Sequence, residues 1–433
     1  KVVAHFKLVE KPLPQQPSLE EKSKDIYRPL ALYTDWIAWY MYLVENQGIR
    51  PACDEPHQSA RILPFFASIG RQINVLQQIK GVEDRLQELL SPTINQADST
   101  FFELLVAACY AKNGWSVEFL KEARTQKTPD LLVKRGSELL FVECKRMAKA
   151  TDYAERERLA WQQRWRNLVG PLSVNLPPIH FSVTFHVEVE KIDPYILSEL
   201  FASNGGFEGK KKFSVNRGGV SVIARPIDMM RVRSHFDQYD VRSHSPQMTE
   251  LLAGNYSPFK SYTHKVAPTG MVNLGPDDGL HCCNTFFDGV GHAYSAEWKC
   301  IAKESFWGKA KDIKKNLSKA ISQIPDDSRG VVHIGYETLE SRMVEFLRQS
   351  RIGNSLRKFD CGPKEIQVLY LHALQCVPST VEAFECAETT LSFKQRDLIE
   401  PKTILSNDYL LEQDATEGHQ STHWKQDYNV GME

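Results

Sequence analysis

The sequence has no excess charge of either sign: 53 Lys and Arg face 54 Asp and Glu, a formal net charge of −1 over 433 residues. That balance excludes the global basic field that draws many proteins to nucleic acid, so any such surface must come from local clustering. Long apolar runs are missing as well. The most apolar early stretch, Ile26 to Val44, is interrupted by Arg28 and Asp35 and ends too soon to span a membrane. It reads instead as a buried amphipathic helix rich in Trp and Tyr, and no membrane partner is expected. Cysteine is sparse, with 9 residues scattered along the chain. An odd number without tight pairing argues against a disulfide scaffold and for reduced thiols in a cytoplasmic protein. Hydrophobic content of 42% and charged content of 25% are ordinary for a globular protein and leave function open. No internal repeat is visible. At roughly 100–200 residues per domain, the chain is too long for one core, and two or three domains are expected.

The pattern of residues divides the chain into five stretches. Residues 1–95 read as helical: Ser18-Leu19-Glu20-Glu21 opens one helix with a capping Ser and early acids. A second helix runs from about Ser59 through Leu90, where Ile62, Phe65, Phe66, Ile69, Ile73 and Leu76 recur at helical spacing before Ser91-Pro92 stops it. This region is expected to be scaffold or a contact surface for a protein partner. Residues 96–200 change character. A helix from about Thr100 to Asn113 is closed by Gly114, and Trp115 to Leu120 alternates like a strand. Two further strands, Asp130 to Lys134 and Leu139 to Lys145, are joined by the turn Arg135-Gly136-Ser137. A charged helix, Asp152 to Leu168, and a β-rich run, Ile179 to Val189, follow. Residues 201–300 are Gly-rich and read as an irregular or β insertion, residues 301–380 alternate helix and strand as α/β units do, and residues 381–433 form a polar tail, in part disordered.

Chemistry concentrates at the strand ending in Lys145. Strand side chains alternate between faces, so Glu143 and Lys145 share one face while Leu140, Val142 and Cys144 share the other. A carboxylate and an ammonium on an otherwise apolar strand are costly unless paired or used. Asp130 begins the preceding strand, and a hairpin would set it beside Glu143. Two carboxylates converging beside one lysine suit a divalent-metal phosphodiesterase. Mg²⁺ prefers hard oxygen ligands and takes one or two carboxylates while keeping several waters. It stabilises charge on a phosphate and lowers the pKa of a bound water, while the lysine orients the nucleophile or stabilises the developing charge.

Thr128-Pro129-Asp130, a dozen intervening residues and Glu143-Cys144-Lys145 resemble the signature of the PD-(D/E)XK nuclease superfamily. The upstream Glu103 stands where many members carry an acidic residue, and the resemblance covers about Asp98 to Lys149. It implies an α/β fold with a restriction-endonuclease-like mixed sheet flanked by helices, here with an N-terminal helical region and a large insertion. Residues 96–200 would be the nuclease core, and 301–380 a continuation that completes its sheet. Metal ligation would fall to Asp130, Glu143 and the backbone carbonyl of Cys144, with Glu103 completing the site. Asp130, Glu143 and Lys145 would be the catalytic set and Mg²⁺ the cofactor, with Mn²⁺ also supporting activity. The implied reaction is in-line hydrolysis of a phosphodiester leaving a 5′-phosphate, with DNA favoured over RNA as partner. A homodimer would make two coordinated cuts in a duplex, and restriction or phage defence is the setting that fold-level analogy offers.

Several readings stay open at this level. Thr100-Phe-Phe-Glu103 also fits a capping box, which would give Glu103 a structural role. The crossover helix that must lead to a parallel strand is either Asp152 to Leu168, before Phe181 to Val189, or Lys309 to Gln323, before Gly330 to Gly335. Gln162, Gln163 and Gln323 are the glutamines on these two helices, for the place some relatives give a Gln near the metal. Arg146, Lys149, Arg164 and Arg166, interleaved with Trp161 and Trp165, could track a phosphate backbone, yet Asp152, Glu155 and Glu157 among them equally describe a salt-bridged exposed helix. His281-Cys282-Cys283 with His292 and Cys300 lacks the tight pairs of a zinc site and reads as buried thiols. Gly205 to Lys211 is one residue short of a phosphate-binding loop, and Gly289-Val-Gly291 lacks the third glycine of a dinucleotide fingerprint. The alternatives to a nuclease are a nucleic-acid-binding or assembly subunit of the same fold, with cleavage absent or partner-dependent, and a scaffold in which the acids are structural.

Overall fold

The structure, a computed structural model, describes residues 36–47, 55–90, 97–121, 127–147, 150–170, 176–203, 212–272, 286–378, 384–394, 404–411 and 422–424. The helix expected to open at Ser18, Lys149, the Gly205 to Lys211 loop and His281-Cys282-Cys283 lie outside these residues. The architecture is α/β, with two mixed sheets flanked by helices.

The N-terminal region supplies helices α1 (Trp36–Asn46), α2 (Pro56–Arg71) and α3 (Val82–Leu89). Glu55 caps α2 by accepting from the Gln58 amide at 2.8 Å, and Pro56 takes the first-turn position where its missing N–H costs nothing. The single helix expected from Ser59 to Leu90 is in fact three pieces. Gln72 and a one-turn helix, Ile73–Leu76, end the first, and Gly81 turns the chain at a φ of +84° that side chains with a Cβ avoid. Lys80 bridges to Glu118, and the Gly81 backbone packs so closely on Phe119 that a Cβ there would meet its carbonyl oxygen at 2.9 Å. Helical periodicity continues through this break, which is why the sequence reads as one helix.

Helix α4 (Ala97–Lys112) is buried almost all round and leads through Gly114, at φ +79°, into the first sheet. Its strands are β1 (Ser116–Phe119), β2 (Leu131–Arg135), β3 (Glu138–Arg146), β10 (Arg329–Glu337), β11 (Glu365–Val377) and β12 (Glu385–Lys394), in that spatial order. The β2–β3 hairpin turns through Gly136 and Ser137, with Gly136 at φ +59° in the first central position, where a II′ turn needs it. β1, β2 and β3 run as an antiparallel meander. β10 is parallel to β3, with Val332 opposite Glu143 and Ile334 opposite Lys145, and β11 is parallel to β10. One face carries Leu131, Val133, Leu140, Val142 and Cys144 against α4. The other carries Val332 and Ile334 against α10 (Lys314–Ile321) and α11 (Arg342–Arg357).

Between β3 and β10 the chain builds a second sheet, ordered β5 (Phe213–Arg217), β6 (Val220–Pro226), β4 (Ile179–Phe185), β9 (Phe286–Cys300) and β7 (Val241–Arg242), with β8 (Ser261–Val272) also on β9. Helix α5 (Asp152–Val169) covers it: Trp161 stacks on Trp298 with centroids 5.2 Å apart, and Trp165 meets Phe181 edge-on. The crossover question is thereby answered. β4 follows α5 into the second sheet, while α10 packs between β3 and the parallel β10. The inserted sheet therefore begins inside residues 96–200 rather than at 201. The described residues within 201–300 are also less irregular than their glycines suggest, because β8 and β9 pair through register shifts at Ala267 to Met271 that absorb the misfit. The expected polar tail contributes β12 and the buried Ile404, Leu405, Leu410, Leu411 and Trp424. Among the described residues no helix is long and apolar enough to cross a membrane.

Candidate active site

The hairpin register decides the site's geometry. Leu131 pairs with Val142, so Asp130, one residue earlier, falls beside Glu143 on the opposite face. Asp130 Oδ2 accepts from the Cys144 amide at 2.7 Å, which fixes the carboxylate against β3. Glu143 is fully buried, and its Oε1 pairs with the Lys145 ammonium. Lys145 is the more open partner, its side chain 25% exposed. The three residues expected to act together are therefore brought together.

Glu103 joins them from α4. That helix already begins at Ala97, so Thr100 lies inside it and cannot be the cap of a capping box. Glu103 Oε2 instead forms an ion pair with Arg85 Nε at 2.7 Å. The same guanidinium reaches Asp130 Oδ1 at 3.3 Å and Glu88 Oε2 at 2.7 Å. Arg85 was not anticipated from the sequence, because a continuous helix would carry it away from β2. The break at Gly81 turns α3 back and delivers it. Gly81, one of two glycines inside that helical pattern, was the available signal.

Three carboxylates and two cations in a largely dry site leave acid in excess. Burial first and Asp130 second raise Glu143 to about 9, with Lys145 pulling the other way. Burial and Asp130 likewise push Glu103 up to about 8 against Arg85 and Lys145. For Lys145, burial lowers the pKa, but Glu143 and Asp130 together act against it and the net shift is upward. Among the described residues, no group of three His, Cys, Asp or Glu forms a ready-made metal cage. Fewer protein ligands suffice for Mg²⁺, which keeps its waters. Glu143 Oε2 is buried without a hydrogen-bond partner, and an acceptor-only oxygen held dry in an acid-rich site fits a hard cation or a proton.

The expected nucleic-acid contacts fare differently. Arg146 is turned inward, donating to Glu337 Oε1 at 2.6 Å and lying over the Phe65 ring. Arg61 Nε reaches the same oxygen at 2.8 Å and also pairs with Asp98. Arg164 is buried and spends its guanidinium on the Ala160 and Ile192 carbonyls. Neither presents a charge to a phosphate backbone, and Trp161 and Trp165 are core. Of this set Arg166 is exposed. The salt-bridged helix is the better description, with Arg158 paired to Glu155 and Arg156 to Glu190. Gln323 follows α10 and donates to the Thr128 carbonyl at 3.3 Å, two residues ahead of Asp130, whereas Gln162 and Gln163 belong to the second sheet's helix. His292 and Cys300 bond to the Leu176 and Val187 carbonyls. Comparison with family models, curated proteins and solved structures returns no match for this chain.

Proposed function

We propose that the chain is a divalent-metal-dependent nuclease of the PD-(D/E)XK type that hydrolyses phosphodiester bonds in DNA. The observation that carries the reading is the convergence of Asp130, Glu143 and Lys145 at one end of β3. The helix–strand–strand–strand–helix–strand order of α4, β1, β2, β3, α10 and β10 accords with it. Asp130, Glu143 and the Cys144 carbonyl would hold Mg²⁺, with Glu103 beside them. The bound ion would supply charge stabilisation on the phosphate and a more acidic water. Asp130 is aligned by the Cys144 amide. Lys145, the more exposed member, places a positive charge where attacking water or developing phosphate charge would stand. To hold the ion, Glu143 would have to release its proton to solvent, because burial and Asp130 favour its protonated form. The inserted sheet and the N-terminal helices would present substrate or partner surfaces.

The test is cleavage of plasmid, linear and single-stranded DNA and RNA with Mg²⁺ or Mn²⁺ against EDTA. Lys145→Ala should lower the rate by about 10²-fold or more. Equal cutting by wild type and Lys145→Ala would sink the mechanism. One observation favours a second reading. Arg85 already pairs with Glu103 and Asp130, as expected of a nucleic-acid-binding or assembly subunit whose cleavage is absent or partner-dependent. DNA binding without Mg²⁺ or Mn²⁺ binding by the isolated chain would select it.

A further inference from the structure

Away from the acidic cluster, two thiols face each other on β11 and β12. Cys376 and Cys386 are direct register partners in this antiparallel pair. Such partners stand with Cα atoms about 4.5–5.5 Å apart, inside the roughly 4.4–6.8 Å span that a disulfide bridges. Their side chains leave the same face of the sheet, and the sulfurs lie 2.6 Å apart. Cys376 is buried, whereas Cys386 is only half-buried and is the one a solute meets first. The other described cysteines differ: Cys109 and Cys300, for example, point their sulfurs at the Asn407 and Val187 carbonyls.

We propose that Cys376 and Cys386 form a dithiol site that exchanges with low-molecular-weight disulfides of the glutathione class and closes to a cross-strand disulfide. The Cys386 thiolate attacks one sulfur of oxidised glutathione. A mixed disulfide forms, and one glutathione leaves as thiolate. Cys376 then gives up its proton and attacks the Cys386 sulfur, releasing the second glutathione. Two protein S–H bonds and one glutathione S–S bond become one protein S–S bond and two glutathione thiols. The protein pair is oxidised by two electrons, and the glutathione disulfide is reduced by the same two. Contact with Cys386, and then burial, hold the Cys376 thiol well above its usual pKa, so Cys376 is the resolving thiol and not the entry point. The first of these causes disappears once Cys386 is capped. Glu337 and Arg146 also act on Cys376, and Arg146 directly follows Lys145 on β3. The bridge would thus tie β11 to β12 close to where the end of β3 is anchored. This inference stands apart from the phosphodiester chemistry above.

Trypsin gives a direct test on the full chain. Residues Glu365–Lys394 contain these two cysteines, no other, and no internal Lys or Arg. The folded protein is incubated with oxidised or reduced glutathione, quenched in acid and alkylated after denaturation. After oxidised glutathione, this peptide should be two hydrogens lighter than its dithiol form, carry no alkyl group, and regain both alkylation sites on reduction. Cys376→Ser should instead accumulate glutathione on Cys386, and Cys386→Ser should leave Cys376 alkylated. A doubly alkylated wild-type peptide after oxidised glutathione overturns the proposal, as does a stable glutathione adduct on it. If a variant fails to fold, the wild-type peptide decides alone.

Discussion

Glu143→Gln gives the most direct test of the site's energetics, because it keeps the side chain's shape and removes its titration. Burial first, and Asp130 second, move the Glu143 pKa from 4.5 to about 9. A carboxyl whose folded pKa lies above its unfolded value is favoured by folding only while protonated. Its contribution is complete below about pH 4.5 and is lost as pH climbs toward about 9. One such group changes stability by about 1.4 kcal/mol per pH unit across that window. At pH 7 the loss is therefore about 3–4 kcal/mol, and the opposing pull of Lys145 is already contained in that shift. The metal-free variant should nearly match wild type at pH 5 and exceed it by about that amount at pH 7, with a gap that widens further toward pH 8. Urea unfolding in EDTA across pH 5 to 8 measures it. A variant less stable than wild type at pH 8, or a gap that does not change with pH, would refute the reasoning. Added Mg²⁺ should close the gap by stabilising wild type alone.

Arg85→Ala removes the cation shared by Glu103 and Asp130. It should strengthen Mn²⁺ binding by about tenfold or more, since one unit of opposing charge nearby is worth at least about 1.4 kcal/mol. Unchanged or weaker binding in a metal titration would show that Arg85 does not compete for the acids. Gly81→Ala forces a Cβ into a left-handed position and against the Phe119 carbonyl. It should destabilise the fold by about 1–3 kcal/mol and loosen the Arg85 contacts. Thermal unfolding and protection of the α3 amides from exchange would report both, and a neutral effect would mean that the turn is not what sets α3.

The sequence by itself determined what depends on local pattern. Period-two alternation put Glu143 and Lys145 on one face of a strand, and the Gly136 turn made a hairpin that carries Asp130 to them. Gly114 marked the end of α4. These are properties of neighbours in the chain, and the backbone's own geometry enforces them. Tertiary structure decided everything that rests on distant partners. Two helices could each have served as the crossover, and only the parallel pairing of β3 with β10, nearly two hundred residues on, selects α10. Arg146 and Arg164 looked like surface charge, because a sequence does not reveal that Glu337 or the Ile192 carbonyl waits inside the fold. Arg85 entered the site because one glycine breaks a helix whose periodicity runs on unchanged. Local pattern fixes which way a side chain leaves its element, whereas the partner it meets depends on how the elements pack.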